Sequence, residues 1–269
     1  MDIRFCIKSK DRVDGLYNKT YKMLKKYGVK DSLIDIFLST DENVEQYKEK
    51  FGKCNLIKGD LGIVGIDNFI VDYYPPQQKY IYLNDDIRDL YYAVDTHNFK
   101  RFDELDINFF DWIYKYFDLM EQMDISYGGL YPTNNPYFMR NKKQEITFSF
   151  ILITDVFSFV INNKNVKLSK FYLDDDFNDN MYSDYEKSIL HFEDKGKLMR
   201  LNYFCFDALY FNGRNTSNRT ADRAEPCAQL MKAVYPNHIT SIKHLKNGFC
   251  SLRFASNPCN QNQFRSGDK

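Results

Sequence analysis

In the stretch KYIYLNDDIRDL, residues 79–90, a β-rich run of apolar and aromatic residues ends on Asn84, Asp85 and Asp86. Carboxamide and carboxylate oxygens gathered at a strand end form a hard-oxygen site suited to Mg²⁺ or Mn²⁺. Such ions take one or two protein carboxylates and complete their shell with water and substrate phosphates. A plain turn uses the same residue types. Lys8, Lys10, Arg12 and Lys19 form a basic flank that suits a nucleotide diphosphate. A rival acidic run, YLDDDF at 172–177, sits among Asn and Asp and reads as a solvated loop. In SDYEKS, Ser183 is placed to cap a helix with Glu186 at the capping-box position. Asp184 and Glu186 then cap and charge the first turn. Tyr131, Asn134 and Phe138 in GGLYPTNNPYFM (128–139) either line a pocket for a base taken out of its stack or belong to a turn packed on the core. Arg214, Arg219 and Arg223 stand in a polar loop, as phosphate contacts or as solvated cations.

The elements that must position these residues follow from periodicity. IRFCIKS (3–9), LIDIFLS (33–39), NLIKGD and KYIYLND (79–85) read as strands. Between them lie LYNKTYKMLKKYG (16–28), DENVEQYKEKFG (41–52) and IVGIDNFIVDYY (63–74), three helices. This β-α-β-α-β-α-β order with short links predicts an α/β domain with a mostly parallel central sheet flanked by helices. In such sheets ligands bind beyond the carboxyl ends of the strands, where Ser9, Lys10, Arg12 and Asn84–Asp86 fall. Farther on, 109–123 and 183–196 read as helices, 146–162 as one or two strands and 198–211 as a strand. Helix returns at 224–236, and GFCSLRF reads as a last strand.

A chain of 269 residues suffices for one large domain. The expected division is a nucleotide-binding half (1–95), an acceptor-binding half (96–255) and a loose tail (256–269) within a single domain. No run of 18 apolar residues occurs, which excludes an apolar membrane-spanning helix. The opening MDIRFCIKSKDR has no signal-peptide core, so the expected location is the cytoplasm. Six scattered cysteines without a CxxC pair read as reduced, mostly buried thiols, not as a disulfide frame or a zinc site. Residues 1–30 hold nine Lys/Arg against three Asp/Glu, residues 31–194 sixteen against thirty, and residues 195–269 twelve against four. The formal charges are therefore +6, −14 and +8, either solvated faces of opposite sign or an acidic, metal-holding centre between basic walls that meet phosphates. P-loop, dinucleotide-binding and nucleophile-elbow motifs are absent.

The co-linear order of IKSKDRVDGLYNKTYKMLKKYGV, IDIFLSTDENVEQYKEKF, LIKGDLGIVGIDNFIVDYY, KYIYLNDDIRDL, GGLYPTNNPYFM and SDYEKSILHFEDKGKLMRLNYF, continuing to YPNHITSIKHLKNGFCSLRF, resembles a GT-A glycosyltransferase over nearly the whole chain. More narrowly, it resembles the TET-associated glycosyltransferases, known largely from phages and linked to sugar transfer onto hydroxymethylated pyrimidines in DNA. The resemblance implies a GT-A-like fold and a UDP-sugar donor. The acceptor would be DNA carrying 5-hydroxymethylcytosine, or a sugar already on that base, in the host cytoplasm if the chain is phage-encoded. It implies that Asn84, Asp85 and Asp86 stand at the Asp-x-Asp motif, with Asn in place of the first Asp, and hold Mn²⁺ or Mg²⁺ on the diphosphate. Ser9 and Arg12 would face uracil and ribose, with Lys19 in the basic flank. Gly59, Gly62 and Asn68 would lie near the nucleotide, although Asp67 replaces the Arg that family members tend to carry before that Asn. Asp184 would be the general base of an inverting transfer. His244 or His238 would be a further metal ligand, and Tyr131, Asn134, Phe138 and Arg219 would meet the acceptor. A glycan acceptor on the same fold, or a non-catalytic DNA-binding role, remains the alternative.

Overall fold

Alternation along the first strand, Arg4–Lys8, sends Phe5 and Ile7 to one face and Cys6 to the other, and so divides the core into two layers. A computed structural model describes residues 2–174, 177–208, 220–256 and 258. Strand β1 (Arg4–Lys8) leads into α1 (Val13–Leu16) and α2 (Lys22–Lys26), joined by a π-helical turn at Tyr17–Tyr21. There follow β2 (Ile34–Leu38), α3 (Asp41–Phe51), β3 (Asn55–Lys58), α4 (Gly62–Tyr73) and β4 (Lys79–Leu83). The expected three β-α repeats are present, each within a few residues of its predicted bounds.

The second half is less regular. It contains β5 (Ile87–Ala93), β6 (Phe99–Arg101), α5 (Phe109–Gln122), β7 (Tyr127–Leu130), a short α6 (Pro136–Arg140), β8 (Ile146–Ser149) and β9 (Phe157–Ile161). Next come β10 (Phe171–Asp174), β11 (Phe177–Asp179), α7 (Ser183–Lys195), β12 (Leu198–Leu201), β13 (Phe204–Ala208), α8 (Ala221–Val234), β14 (Ile239–His244) and β15 (Cys250–Phe254). The loop read at 128–139 is thus a strand and a short helix separated by a turn, and the strand read at 198–211 is two.

The eight-stranded sheet has the order β3-β2-β1-β4-β9-β7-β12-β8. Its first four strands are parallel, but β4–β9, β9–β7 and β12–β8 pair antiparallel. The β7–β12 pair is again parallel, so the sheet is mixed, with parallel and antiparallel pairings. The repeating βα signal ends at β4: β9 and β8 run against their neighbours, whereas β12, entered from α7, runs parallel to β7.

Ile34, Ile36, Ile81 and Leu83 pack under Leu24, Tyr47, Phe51, Trp112, Tyr116 and Phe117 from the helices of one face. Phe37, Tyr80 and Tyr82 meet Ile66 and Ile70 of α4 and Phe192 of α7 on the other. The high aromatic content of the sequence is used here: Trp112 alone contacts the rings of Phe102, Phe109, Tyr116, Phe157, Phe159 and Phe204. A third cluster joins α7, α8 and the β14–β15 hairpin through Tyr182, Ile189, Cys227, Met231, Ile239 and Leu252. The five described cysteines are buried, and no disulfide joins any of them. Among the described residues, no helix is long and apolar enough to cross a membrane.

One capping expectation fails. Tyr182, not Ser183, precedes α7 and its side chain makes no capping bond; the first-turn Tyr185 N–H donates instead to Asp184 Oδ1 at 2.9 Å. Glu186 turns inward to full burial, where it accepts from the Ser169 N–H, the Asn180 amide at 2.6 Å and the Tyr235 hydroxyl at 2.6 Å. Ser169 and Tyr235 lie 17 and 49 residues away and Asn180 lies before the helix, so no capping pattern within the first turn announces them.

Candidate functional site

The sheet reverses its winding between β1 and β4. From β1 the chain moves outward to β2 and β3, then returns to place β4 on the other side of β1. A crevice opens at such a point beyond the carboxyl ends of the two central strands. Ser9 follows β1, and Asn84, Asp85 and Asp86 follow β4, so residues 75 positions apart in sequence become neighbours.

Asp85 is only 7 % exposed and has both oxygens engaged. Its Oδ2 accepts from Ser9 Oγ at 2.7 Å and its Oδ1 from Arg12 Nη1 at 3.1 Å. Since the Ser9 proton goes to Asp85, the Tyr47 hydroxyl donates to Ser9 Oγ at 2.8 Å, while accepting from the Arg12 backbone N–H at 3.0 Å. The loop carrying Arg12 turns through Asp11, whose φ of 54° lies in the left-handed region that Asp and Asn tolerate better than most residues. Asp11 is held there by the Asn43 amide at 2.6 Å. Asp85 therefore fastens the loop after β1 to the end of β4.

Asp86 is left for other work. Its carboxylate is half-buried and receives no side-chain hydrogen bond among the described residues. Burial first, and the Asp85 charge second, push its pKa above the ordinary value, against the opposing charges of Lys19 and Arg12. A carboxylate in this position gains from an added cation. Asn84 is fixed through its backbone: its N–H donates to the Val156 carbonyl, and its own carbonyl accepts from Thr20 Oγ1 at 2.7 Å. The Thr20 hydroxyl also accepts from the Ile87 N–H at 2.9 Å, so one buried side chain clamps both sides of the acidic pair. Thr20→Val keeps the shape but removes both bonds and leaves buried polar groups unmet. We expect it to lower unfolding free energy by about 1–3 kcal/mol, read from urea denaturation.

A second polar group lies beside the first, on the α4–α7 face of the sheet. Lys187 Nζ sits 2.9 Å from Asp155 Oδ2 and 3.1 Å from Asp67 Oδ2, with only 12 % of its side chain exposed. Lys8 Nζ approaches the same carboxylates at 3.3 and 3.7 Å. Tyr82 donates to Asp67, and Tyr127 donates to Asp155 at 3.0 Å. Burial opposes the Lys187 charge, but Asp155 and Asp67 outweigh it and raise its pKa. Burial likewise opposes the Asp155 charge, yet Lys187 and Lys8 hold its pKa below the usual carboxylate range. Asp155 directly precedes Val156, whose carbonyl binds Asn84, so this network underlies the same strand end. The sequence reading found Lys8 but missed Asp155 and Lys187. Asp155 hides in an apolar run that reads as strand, and Lys187 lies one turn after Asp184, the spacing that puts both on one helix face.

Asp184 is half-buried in the first turn of α7. Its charge, after burial and Asp155, contributes to raising the Tyr127 hydroxyl pKa. The helix is tied to the approach to β9 by Ser188 Oγ, which accepts from the Ile153 N–H at 3.0 Å. His191, one turn beyond Lys187, is buried with its pKa pushed down to about 3 by burial and by Lys187. It pairs as a neutral ring with Ser126 at 2.8 Å.

The remaining expected residues scatter. The Gly59 N–H donates to the Leu38 carbonyl, and a side chain there would press on Ile66 and Phe69. Gly62, with φ of 78°, opens α4, but that helix start is already capped by Asp179, which accepts from the Ile63 and Val64 N–H groups. Asn68 holds the main chain of Leu168 through both ends of its amide. His244 lies on the terminal hairpin beside Glu225 and Cys250, and buried His238 faces Glu193 at 3.7 Å. Tyr131 lies under the Arg200 guanidinium, while Asn134 and Phe138 are exposed around α6. Arg223 is in α8, whereas Arg214, Arg219 and the Asp175–Asp176 pair of the rival acidic run lie outside the described residues.

Comparison of the chain with protein-family models and with curated proteins finds no match.

Proposed function

We propose that this protein has a GT-A-like fold and transfers a sugar from a UDP-sugar to 5-hydroxymethylcytosine in DNA, or to a sugar already attached there. The observation that carries the reading is the switch-point crevice, where Ser9 and Arg12 clasp Asp85 and leave Asp86 beside Lys19. A nucleotide diphosphate fits such a place because cationic side chains and an unsatisfied carboxylate stand together at the ends of parallel strands. The sequence resemblance supplies the donor and acceptor classes.

In this reading Asp86 and Asn84 would hold Mg²⁺ or Mn²⁺, whose chemistry is to neutralise charge on the departing diphosphate. Arg12 and Lys19 add positive charge on the same side. Asp184, on a helix start whose dipole favours its anionic form, accepts the proton of the attacking acceptor hydroxyl. The Lys8–Asp67–Asp155–Lys187 network is the rigid floor that sets α7 against the strand end. The exposed Tyr137–Phe138 pair, with rings 5.6 Å apart, offers the acceptor an aromatic surface.

The test is mass spectrometry of nucleosides from hydroxymethylcytosine-containing DNA after incubation with protein, Mn²⁺ and a panel of UDP-sugars. A hexose or pentose increment on the modified nucleoside is the expected result. UDP release without an increment would keep the donor half and discard the DNA acceptor. Neither product, together with no thermal shift from UDP and Mn²⁺, would discard the reading altogether.

A further inference from the structure

A cluster unrelated to the crevice joins α8 to the terminal hairpin. Glu225 Oε2, His244 Nδ1 and Cys250 Sγ are mutually close: 3.1 Å from carboxylate to imidazole, 3.1 Å from thiol to carboxylate and 3.7 Å from thiol to imidazole. Three corners of a tetrahedron around Zn²⁺, at ligand distances of about 2.0 to 2.3 Å, are separated by about 3.3 to 3.6 Å. The triangle thus needs shifts of only a few tenths of an ångström to accept the ion.

Thiolate, imidazole and carboxylate together select zinc over the magnesium or manganese expected at an all-oxygen site. The surroundings also fit. Gln229, one helical turn after Glu225, donates to its other oxygen at 2.7 Å and fixes the carboxylate, as outer-shell partners of metal ligands do. Cys250 is buried and its carbonyl accepts from the Tyr182 hydroxyl, so the sulfur is held in place. His244 is 70 % exposed in its side chain, which leaves a solvent side from which an ion enters and a fourth position for water.

We propose that Glu225, His244 and Cys250 form a zinc site that clamps the β14–β15 hairpin onto α8. On binding, the Cys250 thiol proton, now donated to Glu225, passes to solvent, and the sulfur binds as thiolate. No electron transfer is involved. Because the Tyr182 hydroxyl bonds the carbonyls of both Ala224 and Cys250, the clamp also fixes the segment leading into α7. The proposal does not depend on the glycosyltransferase reading.

The full-length protein is loaded with Zn²⁺ and dialysed, and its metal content is measured. A parallel sample takes Co²⁺, whose thiolate charge-transfer and tetrahedral d–d bands report sulfur ligation. One equivalent per chain and both bands are expected. His244→Ala, a change at an exposed position that leaves the fold intact, should abolish the bands. It should also weaken zinc binding by more than the roughly 10- to 100-fold typical of losing an outer-shell partner. Gln229→Ala should weaken it by about tenfold. Cys250→Ser should remove the charge-transfer band, and Asp86→Ala should keep one equivalent. Substoichiometric zinc, bands that survive His244→Ala, or loss of the ion in Asp86→Ala would each overturn the site.

Discussion

Asp86→Asn is expected to lower sugar transfer by about two to three orders of magnitude, the scale seen when one preorganised electrostatic partner of a transition state is removed, while leaving the fold at least as stable. The two effects have one cause. Asp86 is a half-buried carboxylate beside a second carboxylate, with no side-chain donor among the described residues. Its charge costs the folded state energy that a bound cation and diphosphate would recover. Its pKa is raised by burial and by Asp85, so the folded protein binds that proton more tightly than the unfolded chain does. The stability linked to this group is therefore full below the ordinary carboxyl value of 3.8 and is lost as pH rises through the higher folded value. In Asp86→Asn that decline should disappear from the pH dependence of unfolding. Metal affinity of the unsubstituted protein should fall as pH drops through the same interval. Activity and denaturation curves on one preparation check both arms. A variant that retains transfer at saturating UDP-sugar would remove Asp86 from the metal site.

Lys187→Met should be the most destabilising single change at the site, at about 3–5 kcal/mol, the range for breaking a buried ion pair from one side. Only Lys8 would then face Asp67 and Asp155, from 3.3 and 3.7 Å, where Lys187 now stands at 3.1 and 2.9 Å. The Tyr82 and Tyr127 hydroxyls would remain as donors, but they carry no compensating charge. Adding Asp155→Asn should restore part of the loss, because it removes the carboxylate left under-neutralised. A coupling of about 0.5–3 kcal/mol in a double-mutant cycle is expected from urea denaturation. Strict additivity would mean that the two residues do not form one network.

The sequence alone determined the front half of the molecule. Short apolar, β-rich runs along 3–9, 33–39 and 79–85, with amphipathic helices between them, dictate strands joined by crossovers. That order in turn puts Ser9, Arg12, Asp85 and Asp86 at the same edge. These signals are local: apolar runs buried on both faces, helical stripes and strand-end position do not depend on what the chain does later. The tertiary structure decided the rest, because the deciding interactions are non-local. Which of two adjacent aspartates is tied down follows from Ser9 and Arg12 across the crevice, not from the Asn-Asp-Asp triplet. Glu186 reads as a capping residue until Asn180, Ser169 and Tyr235 close around it. Lys187 and Asp155 sit in a helix and an apolar run that give no hint of an ion pair. His244 finds Glu225 and Cys250 only because the hairpin folds back on α8. The antiparallel strands of the second half likewise owe their places to pairing partners far along the chain, which no window of neighbouring residues encodes.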